Sequence, residues 1–295
     1  MFRRSLLVVV LLLAVFAVSC QTAETEVVEV PVEVEVTRIV EVPVEVEPAA
    51  AAPGLSPMMP VEFDTFNSSI MGRDYALTVA LPMSYGMTEV DYPVIYVTDG
   101  DIYAIPLASA TSQMAFGQEV PEFIIVGVDY GVADPMQWLG LREEDMAGNR
   151  EQYQKFFAEE LVPYIENIYR ANPDMRTLAG HSSGGDFALY SLLNGGAATF
   201  DNFIASAPST AASMTDYLDN FAANQGQTAA NLYLSAGELD EETVTSVEAF
   251  NGALSEMNFE GLAYELQILD NETHLSSRPR AFNNAVRWIV ANEGL

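Results

Sequence analysis

Apolar residues recur with two different periodicities along residues 61–295. Short runs rich in β-branched and aromatic residues have the pattern of buried strands. Between Gln152 and Tyr169 the apolar spacing is helical, and Pro163 within it predicts a kink or a restart of the helix. The predicted strands are 75–81, 93–98, 123–128, 176–179, 203–206, 231–236 and 264–269, and further helices are predicted at 187–193 and about 280–291.

Strands that alternate with helices in this way are typical of a mostly parallel central sheet flanked by helices. The sequence therefore predicts one α/β domain over residues 61–295. A chain of 295 residues is long enough to give such a domain a full hydrophobic core.

The first residues have the pattern of an export signal. A short basic start at Met1–Arg4 precedes an apolar run from Ser5 to Ala17. The following Ala17-Val18-Ser19-Cys20 resembles a bacterial lipobox, in which the signal is cut before the cysteine and the thiol is acylated. We therefore expect a lipoprotein signal peptide at 1–19 and a lipid anchor on Cys20 that holds the protein on the extracytoplasmic face of a bacterial membrane. The alternative is an ordinary signal peptide that contains a cysteine.

Residues 20–60 predict an extended stalk and linker between this anchor and the domain. Val28–Glu35 returns twelve residues later as Val40–Glu47, with valine and glutamate alternating. Pro31 and Pro43 interrupt the pattern, and glutamates of one sign repel each other, so a stalk is favoured over a packed sheet. Association of several chains through the valine faces is the alternative, and the oligomeric state stays open.

The charge and the scarce residue types exclude several classes of function. With 42 acidic and 12 basic side chains, the formal net charge is -30, which argues against a nucleic-acid partner. Cys20 is the only cysteine, and the two histidines are His181 and His274, so a thiol cluster or a histidine-rich metal site is not expected. We expect neither a metal nor an organic cofactor.

The segment Gly180-His181-Ser182-Ser183-Gly184 matches the G-x-S-x-G pattern of a nucleophile elbow. A nucleophilic serine in this motif requires a sharp turn between a strand and a helix, because the turn lifts the serine hydroxyl clear of the backbone. The predicted strand before the motif and the predicted helix after it meet that need. Ser182 is therefore the candidate nucleophile.

A serine hydroxyl needs a neighbouring base, which is usually a histidine. His181 lies within the turn, beside Ser182, where its side chain cannot reach the hydroxyl in the usual geometry. His274 is the remaining histidine and follows the last predicted strand, where α/β-hydrolases carry their base. The acid that orients it should follow the preceding strand. Asp240 is the preferred candidate there, and Glu238 is the alternative.

Acyl transfer also requires N–H donors that stabilise the developing oxyanion. The backbone N–H of Ser183, directly after the nucleophile, is one candidate. The second donor should come from the loop after an early strand, where Thr98-Asp99-Gly100-Asp101 lies. The N–H of Asp101 is the preferred donor, and a tight Asp-Gly turn is compatible with that role.

Several motifs in the same order resemble the esterase family that contains enterochelin esterase, esterase D, feruloyl esterases, S-formylglutathione hydrolase and the antigen 85 mycolyltransferases. The resemblance covers nearly all of residues 61–295. It implies an α/β-hydrolase fold, no cofactor, and a triad of Ser182, His274 and either Asp240 or Glu238. The motifs that carry it are Met71–Tyr75, Tyr92–Gly100, Leu161–Glu166, Ala179–Gly185, Gly237–Asp240 and Thr273–Ser276.

One departure from the family concerns the substrate. After Ala207-Pro208-Ser209 the family often carries bulky aromatic residues, whereas Thr210–Ser213 are small here. This difference argues against a catecholate siderophore as the substrate, although the chain is most similar to the branch that contains siderophore esterases.

The residues together predict a serine hydrolase that cleaves a small-molecule carboxylic ester through an acyl-enzyme on Ser182. One alternative is an acyltransferase, in which an alcohol replaces water in the second step. The other is a non-catalytic surface binding protein on the same scaffold. Met136, Trp138 and Leu139 either line an apolar acyl site or pack a surface loop on the core.

Overall fold

The structure is a computed structural model that describes residues 59–224, 229–257 and 259–294. The predicted signal peptide at 1–19, the anchor at Cys20 and the stalk repeat lie outside the described residues. The linker boundary at residue 60 needs correction, because Met59 is buried in the core and the carbonyl of Pro60 accepts a hydrogen bond from the N–H of Leu81. No helix in the described part of the chain is long and apolar enough to cross a membrane.

Eight strands form one sheet in the order β1-β2-β4-β3-β5-β6-β7-β8. Strand β2 runs antiparallel to both of its neighbours, and strands β3 to β8 are parallel to one another. This confirms the mostly parallel sheet of an α/β-hydrolase. The strands are β1 Val61–Ser68, β2 Arg73–Ala80, β3 Tyr92–Thr98, β4 Ile124–Asp129, β5 Ala171–His181, β6 Asn202–Ser206, β7 Ala230–Gly237 and β8 Leu262–Leu269.

Helices cover both faces of the sheet, and two of them bracket a π-helical turn at Phe156–Leu161. Pro163 lies in the first turn of the helix that follows this turn, so the predicted restart is confirmed. Proline is tolerated there because the first N–H groups of a helix have no partner within it. The helices are α1 Gly100–Phe116, α2 Pro135–Glu143, α3 Arg150–Lys155, α4 Val162–Ile168, α5 Ser183–Leu193, α6 Leu218–Asn224, α7 Glu241–Met257 and α8 Ser277–Glu293.

Strand β1 and helix α1 were not predicted from the apolar pattern. β1 is an edge strand whose side chains are mostly exposed, so burial imposes little pattern on it. α1 contains Pro106 and begins at the glycine of the Asp99-Gly100 pair, and both features are typical of turns. It packs closely on the sheet, since a Cβ on Gly100 would lie 2.4 Å from the backbone carbon of Gly127.

The core has two layers, one on each face of the sheet. On one face, aromatic rings from β2, α3, the π-helical turn and α5 pack against one another, with Tyr75 and Phe156 at a centroid distance of 4.6 Å. On the other face, α1 and α8 pack on the central strands. The parallel strands between these layers all end at one edge, which we call the carboxyl edge, and begin at the opposite amino edge.

Candidate active site

Ser182 lies in a strained turn between β5 and α5 at the carboxyl edge. Its φ of 58° and ψ of -123° are rare for a residue with a side chain. The N–H of Ser182 donates to the carbonyl of Ser206 on β6, which fixes the turn. A Cβ on Gly180 would lie 2.1 Å from the carbonyl oxygen of Gly184, so glycine is needed where the chain folds back on itself. The turn has the geometry expected of a nucleophile elbow.

His274 and Asp240 meet on the loops after β8 and β7. The distance between His274 Nδ1 and Asp240 Oδ2 is 2.6 Å. Burial raises the pKa of the Asp240 carboxyl, but hydrogen bonds from Thr243 and His274 outweigh this effect, so the pKa is lowered overall. The ionised carboxylate can therefore orient the imidazole and stabilise the imidazolium.

Backbone hydrogen bonds join the two loops that carry this pair. The N–H groups of Glu238 and Leu239 donate to the carbonyls of Leu269 and Glu272. The Glu238 carboxylate accepts a hydrogen bond of 2.8 Å from the N–H of Asn271. Glu238 therefore stabilises the loop that carries the histidine, whereas Asp240 contacts the imidazole. The alternative of Glu238 as the triad acid does not match this geometry.

His181 is fully buried and contacts Ser206, with its Nδ1 at 3.0 Å from the serine Oγ. Its ring centroid lies 5.0 Å from that of His274, so it packs beneath the candidate base. Burial, reinforced by the neighbouring His274, lowers the pKa of His181 to about 3. His181 is therefore neutral at neutral pH and belongs to the floor of the site.

The Ser182 hydroxyl makes no hydrogen bond to His274 within the described residues. Catalytic hydrogen bonds of this kind are often long without substrate and shorten when substrate binds. Contacts through His181 bring the two residues to the same part of the carboxyl edge, since His181 precedes Ser182 in the chain and packs against His274.

The two candidate oxyanion donors lie in the first turns of helices. Ser183 begins α5 and Asp101 is the second residue of α1, positions whose N–H groups have no partner within the helix. A Cβ on Gly184 would approach Thr98 Oγ1 to 2.2 Å, so the end of β3, which leads into α1, lies against the first turn of α5. The candidate donor Ser183 directly follows Ser182, and the candidate donor Asp101 follows Thr98 by three residues.

Arg142 on α2 contacts both sides of this arrangement, and the sequence analysis missed it. Its guanidinium makes a bidentate ion pair with the buried carboxylate of Asp99, at 2.8 and 2.9 Å. It also donates a hydrogen bond of 3.2 Å to the carbonyl of His181. Arg142 thus connects the candidate oxyanion loop after β3 to the turn after β5. The two ionic partners are 43 positions apart in the sequence, so no local pattern predicts this contact.

No group of three or more histidine, cysteine, aspartate or glutamate side chains in the described ranges could hold a metal ion.

The sequence of the chain matches a known family over most of the domain just described. Residues 68–274 match the profile of the family described as Putative esterase. The chain belongs to this esterase family. It is a carboxylic ester hydrolase, and the alternative of a non-catalytic binding protein is set aside.

Individual proteins similar to this esterase include enzymes named for siderophores. The ferri-bacillibactin esterase BesA of Bacillus subtilis (strain 168) is 26% identical over 253 residues, which cover 75% of this chain and 86% of BesA. The crystal structure of the BES protein from Bacillus cereus has a TM-score of 0.67 and 25% identity, and covers 78% of this chain and 94% of that one. The siderophore hydrolase EstA from Aspergillus nidulans has a TM-score of 0.68, covers 82% and 98% of the two chains, and shares the fold at 16% identity.

The three apolar residues of helix α2 in the esterase, Met136, Trp138 and Leu139, differ in their surroundings. Trp138 packs against the core, with its ring centroid 6.5 Å from that of Tyr130. The guanidinium carbon of Arg142 lies 5.5 Å from the centroid of the Trp138 ring. Met136 and Leu139 are instead exposed to solvent. Trp138 therefore supports the helix, whereas Met136 and Leu139 remain available for contact with a ligand.

Proposed function

We propose that this chain hydrolyses a small-molecule carboxylic ester through an acyl-enzyme on Ser182, with His274 as the base and Asp240 as the acid. The 2.6 Å contact between His274 and Asp240, beside the strained turn that presents Ser182, carries the proposal. The membership of the esterase family and the name of the relative BesA support the substrate class.

The proposed reaction has two steps. His274 takes the proton of the Ser182 hydroxyl as the oxygen attacks the ester carbonyl, and the N–H groups of Ser183 and Asp101 stabilise the oxyanion. Collapse of this intermediate breaks the bond to the alcohol, which leaves with the proton held by His274. Water then attacks the acyl-enzyme, His274 accepts its proton, and the acid is released with Ser182 restored.

The proposed location is outside the cytoplasm, on a lipid anchor at Cys20. It is supported by the basic start, the apolar run and the lipobox-like segment before the chain's one cysteine. Cys20→Ala in an expressing bacterium tests this part. We expect the protein to move from the membrane fraction to a soluble fraction, while a protein that stays in the membrane fraction contradicts the lipid anchor.

Release of p-nitrophenol from p-nitrophenyl acetate by the full-length protein tests the reaction. We expect turnover that Ser182→Ala and His274→Ala each lower by about 10³-fold or more. Ser109→Ala, an exposed serine on α1, is the matched control and should retain activity. Turnover that survives Ser182→Ala contradicts the proposed nucleophile. Added alcohols that collect the acyl group in place of water would favour the acyltransferase alternative.

A further inference from the structure

Exposed apolar side chains lie directly beside the two residues that would assist Ser182. Leu275 follows His274 and is 67% exposed, and Leu239 precedes Asp240 and is 60% exposed. Single exposed leucines are ordinary on a protein surface. These two lie on hydrogen-bonded loops, since the N–H of Leu239 donates to the carbonyl of Glu272. The two exposed leucines therefore lie on adjoining loops on the β7 and β8 side of the site.

A second group of exposed apolar side chains lies on the opposite side of Ser182. Ile102 is in the first turn of α1, and Leu139 is one helical turn before Arg142 on α2. The ion pair of Arg142 with Asp99 holds this part of α2 beside the elbow. In the sheet, β5 lies between β3 on this side and β6, β7 and β8 on the other. We define the apolar rim as Ile102, Met136, Leu139, Leu239 and Leu275.

The charges near the apolar rim are predominantly negative. Arg142 is already paired with Asp99, so its charge is not free for an anionic ligand. Arg278 packs over the ring of Tyr103, with its guanidinium carbon 3.8 Å from the ring centroid, and Arg280 donates to the carbonyl of Asp270. Besides Asp240, the carboxylates on the loops after β7 and β8 and in the first turns of α1 and α7 are Asp101, Glu238, Glu241, Glu242, Asp270 and Glu272. With a formal net charge of -30, the chain opposes the approach of an anion.

We infer that the substrate of this site is an uncharged ester with an apolar acyl chain, which contacts the apolar rim while its carbonyl lies at Ser182. Contact with the rim removes apolar surface of both partners from water, which favours binding. A carboxylate on the same acyl chain would face repulsion from the surrounding acidic groups. The inference rests on the proposed function, because it places the reacting carbonyl at Ser182.

Matched p-nitrophenyl esters test this inference with the full-length protein. Butyrate and hemisuccinate have acyl chains of equal length, and only the second carries a carboxylate; acetate and octanoate differ in apolar length. We expect kcat/KM to be at least about tenfold higher for butyrate than for hemisuccinate, and higher for octanoate than for acetate. Equal rates for butyrate and hemisuccinate, or a preference for hemisuccinate, would overturn the inference.

Rim variants test whether these side chains cause the preference. The double variant Leu239→Ser/Leu275→Ser should lower the octanoate-to-acetate ratio of kcat/KM by about tenfold. Met87→Ser and Phe116→Ser, at side chains 73% and 69% exposed away from the carboxyl edge, are matched controls and should leave the ratio unchanged. An unchanged ratio in the double variant would overturn the role of the rim.

The proposed function can be tested independently of the apolar rim. Turnover of the acetate ester and labelling of Ser182 by a fluorophosphonate both require the nucleophile, and neither requires contact with the rim. Normal acetate turnover and labelling, together with a negative result for the rim, would overturn the inference alone. A protein that neither turns over acetate nor takes the label at Ser182 would overturn both.

Discussion

The carboxyl and amino edges of the sheet differ in how the chain turns at them. Among the described residues, the non-glycine residues with positive φ at the carboxyl edge are Asp99, Ser182, Ala207 and Asn271, each at or just after the end of a strand. At the amino edge the corresponding residue is Gln118, in the connection from α1 to β4. Such conformations cost free energy and persist where the surrounding structure fixes them. Backbone strain is thus concentrated where the candidate active site lies.

The two edges also differ in how they hold charge. At the carboxyl edge Arg142 pairs with the fully buried Asp99, and His181 is buried in a neutral form. Toward the amino edge, Arg287 on α8 pairs with Glu119, and both side chains are about half exposed. The carboxyl edge therefore contains groups that are costly to bury. We interpret that cost as the requirement of a preorganised catalytic site.

The largest effect expected at the carboxyl edge concerns the two carboxylates after β7. Asp240→Asn should lower kcat by about 10³-fold or more, because the amide cannot stabilise the imidazolium of His274 as the carboxylate does. Glu238→Gln is the matched control, since an amide oxygen can still accept the hydrogen bond from the N–H of Asn271, and it should change kcat by only a few-fold. Steady-state hydrolysis of p-nitrophenyl butyrate measures both. The reverse ranking would identify Glu238 as the acid.

The next largest effect concerns the ion pairs. Arg142→Met should lower the free energy of unfolding by about 3–5 kcal/mol, because it leaves the buried carboxylate of Asp99 without its partner. Arg287→Met, at the exposed pair with Glu119, should lower it by less than about 1 kcal/mol. Urea unfolding followed by circular dichroism measures both values. Equal losses would remove the distinction between the two edges.

A smaller effect is expected from glycines. Gly180→Ala should destabilise the protein by about 1–3 kcal/mol, since its Cβ would lie 2.1 Å from the carbonyl oxygen of Gly184. Gly252→Ala, on α7 with nothing within 4 Å of the new Cβ, should stabilise it by about 0.5–1 kcal/mol. Urea unfolding of both variants measures whether each change lowers or raises the free energy of unfolding. Stabilisation by Gly180→Ala would show that the elbow tolerates a side chain.

The most gradual effect expected is the dependence of stability on pH at His181, because it is spread over several pH units. Its pKa in the folded protein, about 3, lies below its ordinary value of 6.5, so between these pH values the unfolded chain binds the additional proton. The stabilisation from neutral His181 is therefore complete above pH 6.5 and is lost as the pH falls toward 3. It contributes up to about 1.4 kcal/mol per pH unit to the slope.

His181→Gln should remove this contribution, which makes the unfolding free energy less steep between pH 6 and pH 4. The carboxylates titrate alike in both proteins, so the difference between the two slopes isolates the histidine. Identical slopes would show that His181 is not buried in its neutral form.

The sequence predicted those parts of the fold and site that depend on local patterns. The alternating strands and helices, the restart at Pro163 and the order of Ser182, Asp240 and His274 are all readable along the chain. The choice between Asp240 and Glu238 was not, because both follow β7 and only the path of the loop decides which carboxylate reaches His274. Their catalytic roles stay predictions.

Features that depend on distant contacts were missed. Strand β1 is exposed at the edge of the sheet, so its sequence has little apolar pattern. The first residues of α1 are typical of a turn, so the sequence does not indicate a helix there. Arg142 reaches Asp99 and the carbonyl of His181 from a separate helix, so no motif marks it. Such residues become visible only when the topology brings their elements together.

Covalent labelling of the full-length protein with a fluorophosphonate, followed by mass spectrometry of its peptides, tests whether Ser182 is the nucleophile. We predict one adduct, on Ser182, that is absent from Ser182→Ala and forms far more slowly in His274→Ala. The position of the adduct identifies the nucleophile independently of any substrate. An active esterase that carries the adduct on another serine, or takes none, would contradict the assignment of the active site to this elbow.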